Sequence, residues 1–477
     1  MTKQKVTKVR SWLGVPYAKA ERFSKPELVP FDETKQYVKY GPAPLQGGDT
    51  SWLPADSGFS EDCLNLNVWA PADMGEAESL PVVVYIFGGG WVLGSNTQTV
   101  SNLSGLASTG RVIGVSINYR LGPFGWLSLA QYGGKLKDAT NLGLQDIIMA
   151  LKWIQNNIAY FGGNPNNVTV TGHSAGAYSS LALLSAPSAD NLYHHLAAFS
   201  GMPSRLVPQW VAQERALKVL KHFDCVNNPE HLLQVDAYEL AEAMNATQSP
   251  DPGHQHGIDN DVIAVTDDSQ VTNGVVADHP MHVLASGKHK DVDILFSSTT
   301  EETFYWVLHR TKDFDPVTLE ALTEQFAHSM RIPLTRAHQV INSFTEDTLK
   351  PVEVRGLLLT HLSFTLPQIR GAQAHANAGG TSHVLVVGPV KGAEVAVHGT
   401  EMYGIVGQTS PNASQEQIDR DNYVKETLLN MAEGHSNLTW DAVTVDEISA
   451  KGIGNMPYSA TEHSLNILEI FKGIDRP

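Results

Sequence analysis

The chain has 477 residues, 42% of them hydrophobic, and a formal net charge of -17. That hydrophobic share suffices for a large core. The charge argues against a nucleic-acid surface or an anionic membrane and reads as an acidic, solubilising exterior.

The N-terminal stretch MTKQKVTKVRSWLGVPYA carries basic residues but no apolar run of signal-peptide length. No segment approaches the ~20 apolar residues of a membrane span. Two cysteines, Cys63 and Cys225, exclude a disulfide framework and suit a reducing compartment. We therefore expect a cytoplasmic protein with no nucleic-acid or membrane partner.

Strand-like and helix-like runs alternate from there. PVVVYIF (81–87) and RVIGVSINY (111–119) are β-branched and nearly continuously apolar, as strands buried on both faces of a parallel sheet are. In the run 142–163, Leu144, Ile147, Ile148, Leu151, Ile154 and Ile158 follow helical spacing, and Gly162, Gly163 and Pro165 supply the stop. NNVTVTG (166–172) reads as a strand and 175–186 as a helix. DVDILFSS (291–298) and SHVLVVG (382–388) are two further strands. The alternation predicts an α/β fold, a large and mostly parallel sheet with helices on both faces. Residues 205–245 and 305–360 look mainly helical and are read as insertions over the sheet within one domain, 1–477. The polar stretch 246–261 is read as a surface loop. Its His254 and His256 lack a cysteine partner, so we expect no metal there.

Two motifs carry chemistry. In TVTGHSAGAYSS (169–180), Ser174 stands between Gly172 and Gly176. A serine is a weak nucleophile until a base takes its proton and a tight turn exposes it, and G-x-S-x-G between strand and helix is such a turn. With 40 glycines in the chain, the pattern alone could be an ordinary turn; the strand before it and the helix after it are what point to a nucleophile. In IFGGGWVLGS (86–95), three glycines follow a buried strand. Such a loop can aim backbone N–H groups at a developing oxyanion, and Gly89, Gly90 and Ala175 are the candidates. A hairpin-like or phosphate-binding loop is the competing reading, but no Lys-Ser/Thr pair follows the glycines.

Taken together, WLGVPYA (12–18), SEDCLNLNVWAP (60–71), YIFGGGW (85–91), INYRLGPFGWL (117–127) and the block from Asn141 to Ala177 resemble the carboxylesterase type B (cholinesterase-like) family of α/β-hydrolases. The resemblance is clear over roughly the first 200 residues and returns later in short pieces. It implies an α/β-hydrolase fold and a Ser–Glu–His triad in that chain order, with Ser174 as nucleophile. The segment ILFSSTTEETFYW (294–306) resembles the one that carries the family glutamate, which precedes a glycine. Glu302 occupies that glycine's place, which assigns Glu301 as the acid. By itself Glu301 could equally be an exposed loop carboxylate. KGAEVAVHGTEMYGIVG (391–407) is similar to the histidine segment and assigns His398 as the base, followed by Gly399 and Glu401 as is usual in the family.

The departures are informative. His173 replaces the family's usual glutamate before the nucleophile, which implies weaker attraction of cationic substrates and puts a second imidazole near Ser174. Phe87 stands where many members have histidine, a side chain the backbone donors do not require. Pro44 takes the place of a cysteine that often pairs with the equivalent of Cys63, which implies that Cys63 is a free, buried thiol. Trp91, His173, Trp126 and Trp306 are expected around the substrate pocket. The function this implies is hydrolysis of small-molecule carboxylic esters, without cofactor or metal. Carbamate, amide or lipid-ester hydrolysis by the same triad is the alternative, since one triad serves many substrates. A non-catalytic binding module of the same family is disfavoured because Ser174, the glycines and a histidine are all retained.

Overall fold

Long β-branched runs with no polar face must be covered on both sides. In the computed structural model of the chain they are. The structure describes residues 7–51, 53, 58–75, 79–246, 263–309, 318–345, 349–393, 395–434 and 438–475. His254 and His256 lie outside them.

Among the described residues, nine strands make one sheet: β1 (Val9–Pro16), β2 (Asn65–Pro71), β3 (Leu80–Ile86), β4 (Ile113–Ile117), β5 (Gly163–His173), β6 (His195–Phe199), β7 (Asp293–Thr299), β8 (Ser382–Val387) and β9 (Ala450–Ile453). Their spatial order is β1-β2-β4-β3-β5-β6-β7-β8-β9. β2 pairs antiparallel with β1 and β4, and every other neighbouring pair is parallel. This is the mostly parallel α/β-hydrolase sheet that the sequence implies. The strands β1, β2, β6 and β9 were not among those expected from the apolar runs. β2 is fully buried yet carries Asn65 and Asn67, whose side chains bond to Pro42, Cys63 and Asn96 carbonyls inside the protein. Those asparagines interrupt the apolar signal without exposing the strand.

The helix expected at 142–163 runs as α1 (Leu142–Asn157), and Leu144, Ile147, Ile148, Leu151 and Ile154 are buried on it. A short 3-10 turn then ends at Gly162, whose φ is 84°. The nucleophile segment forms α2 (Ala175–Ala182). Within 205–245 lie α3 (Gln209–His222) and α4 (Ala237–Ala246). The region 305–360 holds α5 (Leu319–Met330), α6 (Leu334–Asn342) and α7 (Pro351–Thr360). These three share an apolar cluster of their own, including Leu322, Phe326, Val340 and Leu358, with Phe471 from the C-terminal end of the chain. Among the described residues, no helix is long and apolar enough to cross a membrane.

Candidate active site

The loops that leave the C-terminal ends of the parallel strands converge, as ligand sites in open α/β sheets do. β5 ends at His173, and Ser174 takes φ 55° and ψ -126° before α2 begins. That left-handed backbone is costly for a serine, and such strain collects at functional turns. The flanking glycines are required by contact. A Cβ on Gly172 would lie 2.5 Å from the Gly176 carbonyl carbon, and one on Gly176 would strike the Ile86 carbonyl oxygen. The Ser174 N–H donates to the Phe199 carbonyl at 2.9 Å, tying the turn to the end of β6.

The glycine loop after β3 lies against this turn: a Cβ on Gly88 would come 2.9 Å from the Ser174 Cβ. Gly89 has φ 112° and a Cβ there would strike the Leu93 carbonyl oxygen. Gly89 and Gly90 border the same cavity as Ser174. The Ala175 N–H, at the first position of α2, has no intrahelical acceptor.

His398 comes from the loop after β8. Its Nδ1 lies 2.6 Å from the Glu302 Oε2, and its backbone N–H donates to the Glu302 carbonyl at 3.2 Å. Its Nε2 is buried with no hydrogen-bond partner among the described residues. The carboxylate on the imidazole is therefore that of Glu302, and the assignment of Glu301 is corrected. Adjacent residues in the turn after β7 point apart. Glu302 is fully buried and its Oε1 accepts from the Thr299 N–H at 2.8 Å and the Ser200 hydroxyl at 2.6 Å. Glu301 instead accepts from the Ala396 N–H at 2.7 Å and the Thr300 hydroxyl at 2.6 Å. It pins the histidine loop two residues before His398.

Sequence reasoning did not single out Ser200. Its hydroxyl also lies 2.8 Å from Glu401 Oε1. Its position directly after β6, at φ 53°, is the structural sign of its role. Burial pushes Glu302 up to about 7, and burial together with the Glu302 charge pushes Glu401 up to about 8. Burial and the charge of Arg205 push His398 down to about 3, so the imidazole is neutral at pH 7.

A cavity of about 420 Å³ opens over these groups. Ser174, His398, His173, Trp91 and Trp306 border it, with Phe364, Tyr178 and Arg205. The His398 ring is packed by His173, Trp306 and Phe364, with centroids at 4.6, 4.9 and 5.7 Å. Burial and His398 hold His173 well below the usual imidazole range, so it packs as a neutral ring. Trp91 is 2% exposed and its Nε1 donates to the Ser179 hydroxyl at 2.9 Å, so most of its indole belongs to the core. Trp126 does not border the cavity, which corrects its expected place. Its indole lies against Gly143, where a Cβ would come 2.5 Å from the ring, and its Nε1 donates to the Arg120 carbonyl at 3.1 Å. Phe87 is stacked on Tyr119 with centroids 4.6 Å apart.

Comparison with known proteins shows the family and the fold. A family model described as the carboxylesterase family matches residues 1–385. The chain is 31% identical over 388 residues to the para-nitrobenzyl esterase of Bacillus subtilis (strain 168), covering 77% of this chain and 73% of that protein. It is 27% identical over 470 residues to carboxylesterase 1F of Mus musculus, covering 89% and 81%. It is also 32% identical to the acetylcholinesterase of Electrophorus electricus, over 70% of this chain and 54% of that protein. Among solved structures, a PNB esterase superposes with a TM-score of 0.80 at 26% identity, covering 96% of each chain. A carboxylesterase from Geobacillus stearothermophilus gives 0.81 at 25% identity, covering 98% of this chain and 97% of that one.

Proposed function

The chain belongs to the carboxylesterase family, and from that membership we propose that it is a serine esterase acting on small-molecule carboxylic esters. The observation that carries the reading is the strained serine turn set against a buried histidine–glutamate pair. In this reading His398 accepts the Ser174 proton on Nε2 as the oxygen attacks the ester carbonyl. Glu302, on the other ring nitrogen, holds the tautomer and stabilises the imidazolium that forms. The N–H groups of Gly89, Gly90 and Ala175 receive the oxyanion of the tetrahedral intermediate. His398 then returns the proton to the departing alcohol, leaving an acyl group on Ser174. Water, deprotonated by the same imidazole, attacks the acyl-enzyme, and the imidazolium returns that proton to the Ser174 Oγ as the acid leaves. Side chains and water suffice for every step, so the cycle calls for no cofactor.

The test is hydrolysis of p-nitrophenyl acetate and butyrate by wild type and Ser174→Ala. Turnover by wild type with a loss on the order of 10⁶-fold in the variant is expected where the triad acts as a unit. A loss below about tenfold would remove Ser174 from the nucleophile role. Covalent labelling of the wild type, and not the variant, by a fluorophosphonate checks the same assignment independently of substrate fit.

A further inference from the structure

His173 borders the cavity beside Ser174 and is 4% exposed. Its Nε2 is buried with no hydrogen-bond partner among the described residues, and the same holds for the His398 Nε2. The two rings have centroids 4.6 Å apart and are tilted by 45°. The two unpaired nitrogens thus belong to neighbouring rings on the wall of one cavity. A buried polar atom without a partner costs free energy and calls for a reason. For His398 the reason is the reaction, since Nε2 is the atom that takes the serine proton. Packing alone gives His173 none. A phenyl ring, like that of Phe364 on the same imidazole, would pack against His398 without that cost.

The two halves of the reaction put different oxygens beside His398. In acylation it is the oxygen of the leaving alcohol, which carries a carbon. In deacylation it is water, which carries two hydrogens; the base takes one, and the other needs an acceptor. A single oxygen about 3 Å from each nitrogen can serve two imidazoles at this separation. Resting on the serine-esterase reading, we propose that His173 is a catalytic residue of deacylation, its Nε2 accepting the second hydrogen of the attacking water while the His398 Nε2 removes the first. The O–H bond facing His398 breaks, and its electron pair forms the bond to the acyl carbon. The other hydrogen stays on the oxygen and leaves with the acid, so His173 gains no proton. That role needs a neutral ring, and burial together with His398 keeps His173 neutral. The consequence is selectivity between acyl acceptors. An alcohol carries a carbon where water carries its second hydrogen, and it leaves the His173 nitrogen unpaired.

The experiment turns over p-nitrophenyl butyrate in a fixed concentration of methanol and reads the initial ratio of methyl butyrate to butyrate. That ratio reports how one acyl-enzyme is divided between two acceptors, so a loosened site that slows both equally does not move it. In His173→Phe the ratio should rise about tenfold over wild type, and in His173→Gln, which keeps an acceptor oxygen, by about threefold or less. Without methanol, kcat and KM of His173→Phe should fall together while kcat/KM, which reports acylation, holds. Fluorophosphonate labelling of Ser174 in each variant confirms that the site is folded. Should His173→Phe fail to label, His173→Met, of similar reach to the glutamine and adaptable in packing, takes its place beside His173→Gln. An unchanged product ratio in the variant that lacks the acceptor overturns the role of His173 while leaving the esterase reading in place. If wild type releases neither butyrate nor methyl butyrate, the esterase reading itself fails and the role with it.

Discussion

Ser200 carries one proton and meets two carboxyl oxygens, at 2.6 Å on Glu302 and 2.8 Å on Glu401. A hydroxyl can donate to only one of them, so the other contact needs a proton on the carboxyl. Glu302 already accepts from the Thr299 N–H and faces the His398 ring, as an anion would, whereas the Glu401 Oε2 is buried with no partner among the described residues, so Glu401 is the one to hold it. The order is then Glu401 donating to Ser200, Ser200 donating to Glu302, and His398 Nδ1–H donating to the Glu302 carboxylate. This arrangement predicts opposite results from two similar substitutions. Glu401→Gln supplies an amide donor in place of the carboxyl proton and should keep kcat within about tenfold of wild type. Glu302→Gln removes the anion from the imidazole and should cost roughly 10⁴-fold, with Glu301→Gln far milder because its partners are Ala396 and Thr300. Steady-state kinetics on a neutral ester decides; a severe Glu301→Gln beside a mild Glu302→Gln would restore the assignment read from the sequence. The pH profile follows from the same groups. Glu302 is raised to about 7, so kcat/KM should fall as pH drops below about 7, when the carboxylate takes up a proton. That limb belongs to the hydrogen-bonded glutamate–histidine pair as a unit and not to an isolated imidazole. A profile flat to pH 5 would contradict it.

Among elements, the helical stretch from Pro351 to Asn377 does more than cover the sheet. α7 is followed by a wider π turn, His361–Thr365, before the chain resumes as α8 (Leu366–Asn377). Such turns favour functional positions, and here Phe364 projects from it onto His398 while His361 enters the second apolar cluster's neighbourhood. The His361 ring stacks on Phe344 at 5.2 Å and lies 5.2 Å from His463, which belongs to a C-terminal helix, α9 (Ala460–Ile470), and stacks on Tyr458 at 5.5 Å. Burial lowers both imidazoles, His463 to about 4 and His361 in the same direction. The folded values lie below the unfolded one, so between about pH 6.5 and 4 the unfolded chain binds more protons and stability drops as pH falls. For His463 alone the loss is about 2 kcal/mol by pH 5 and about 3 kcal/mol by pH 4. Urea midpoints at pH 7 and pH 5 measure this, and His463→Phe should shrink the difference. An unchanged difference in that variant would place the acid sensitivity elsewhere.

At the scale of the whole molecule, both thiols lie in the main apolar cluster, Cys63 at 1% exposure and Cys225 at 4%, and neither forms a disulfide. Burial pushes the Cys63 thiol up, so it is neither exposed nor ionised in the native state. Its environment includes the buried Arg120–Asp146 ion pair at 2.8 Å, which joins the segment after β4 to α1. Reagents can therefore reach Cys63 only after broad opening of the core. A thiol-specific chromogenic reagent should find neither cysteine promptly in the native protein and both in denaturant. Fast labelling of Cys63 at neutral pH would show that this part of the core opens locally.

Much of this protein was legible along the chain because the relevant signals are local. The apolar runs at 81–87 and 111–119, the helical spacing through Leu144 and Ile154, and the glycines at two positions on either side of Ser174 all express backbone geometry or burial within a few residues. The family resemblance extended this to the sheet. Tertiary structure decided which of two adjacent glutamates meets the imidazole, because that depends on how the turn after β7 faces the loop after β8, 96 residues later. It also decided that Trp126 fills the core, that Ser200 links two carboxyls, and that Arg205 enters the cavity. In none of these does spacing or composition along the chain carry a record of the partner, and for the glutamates and Ser200 that partner lies far away in sequence.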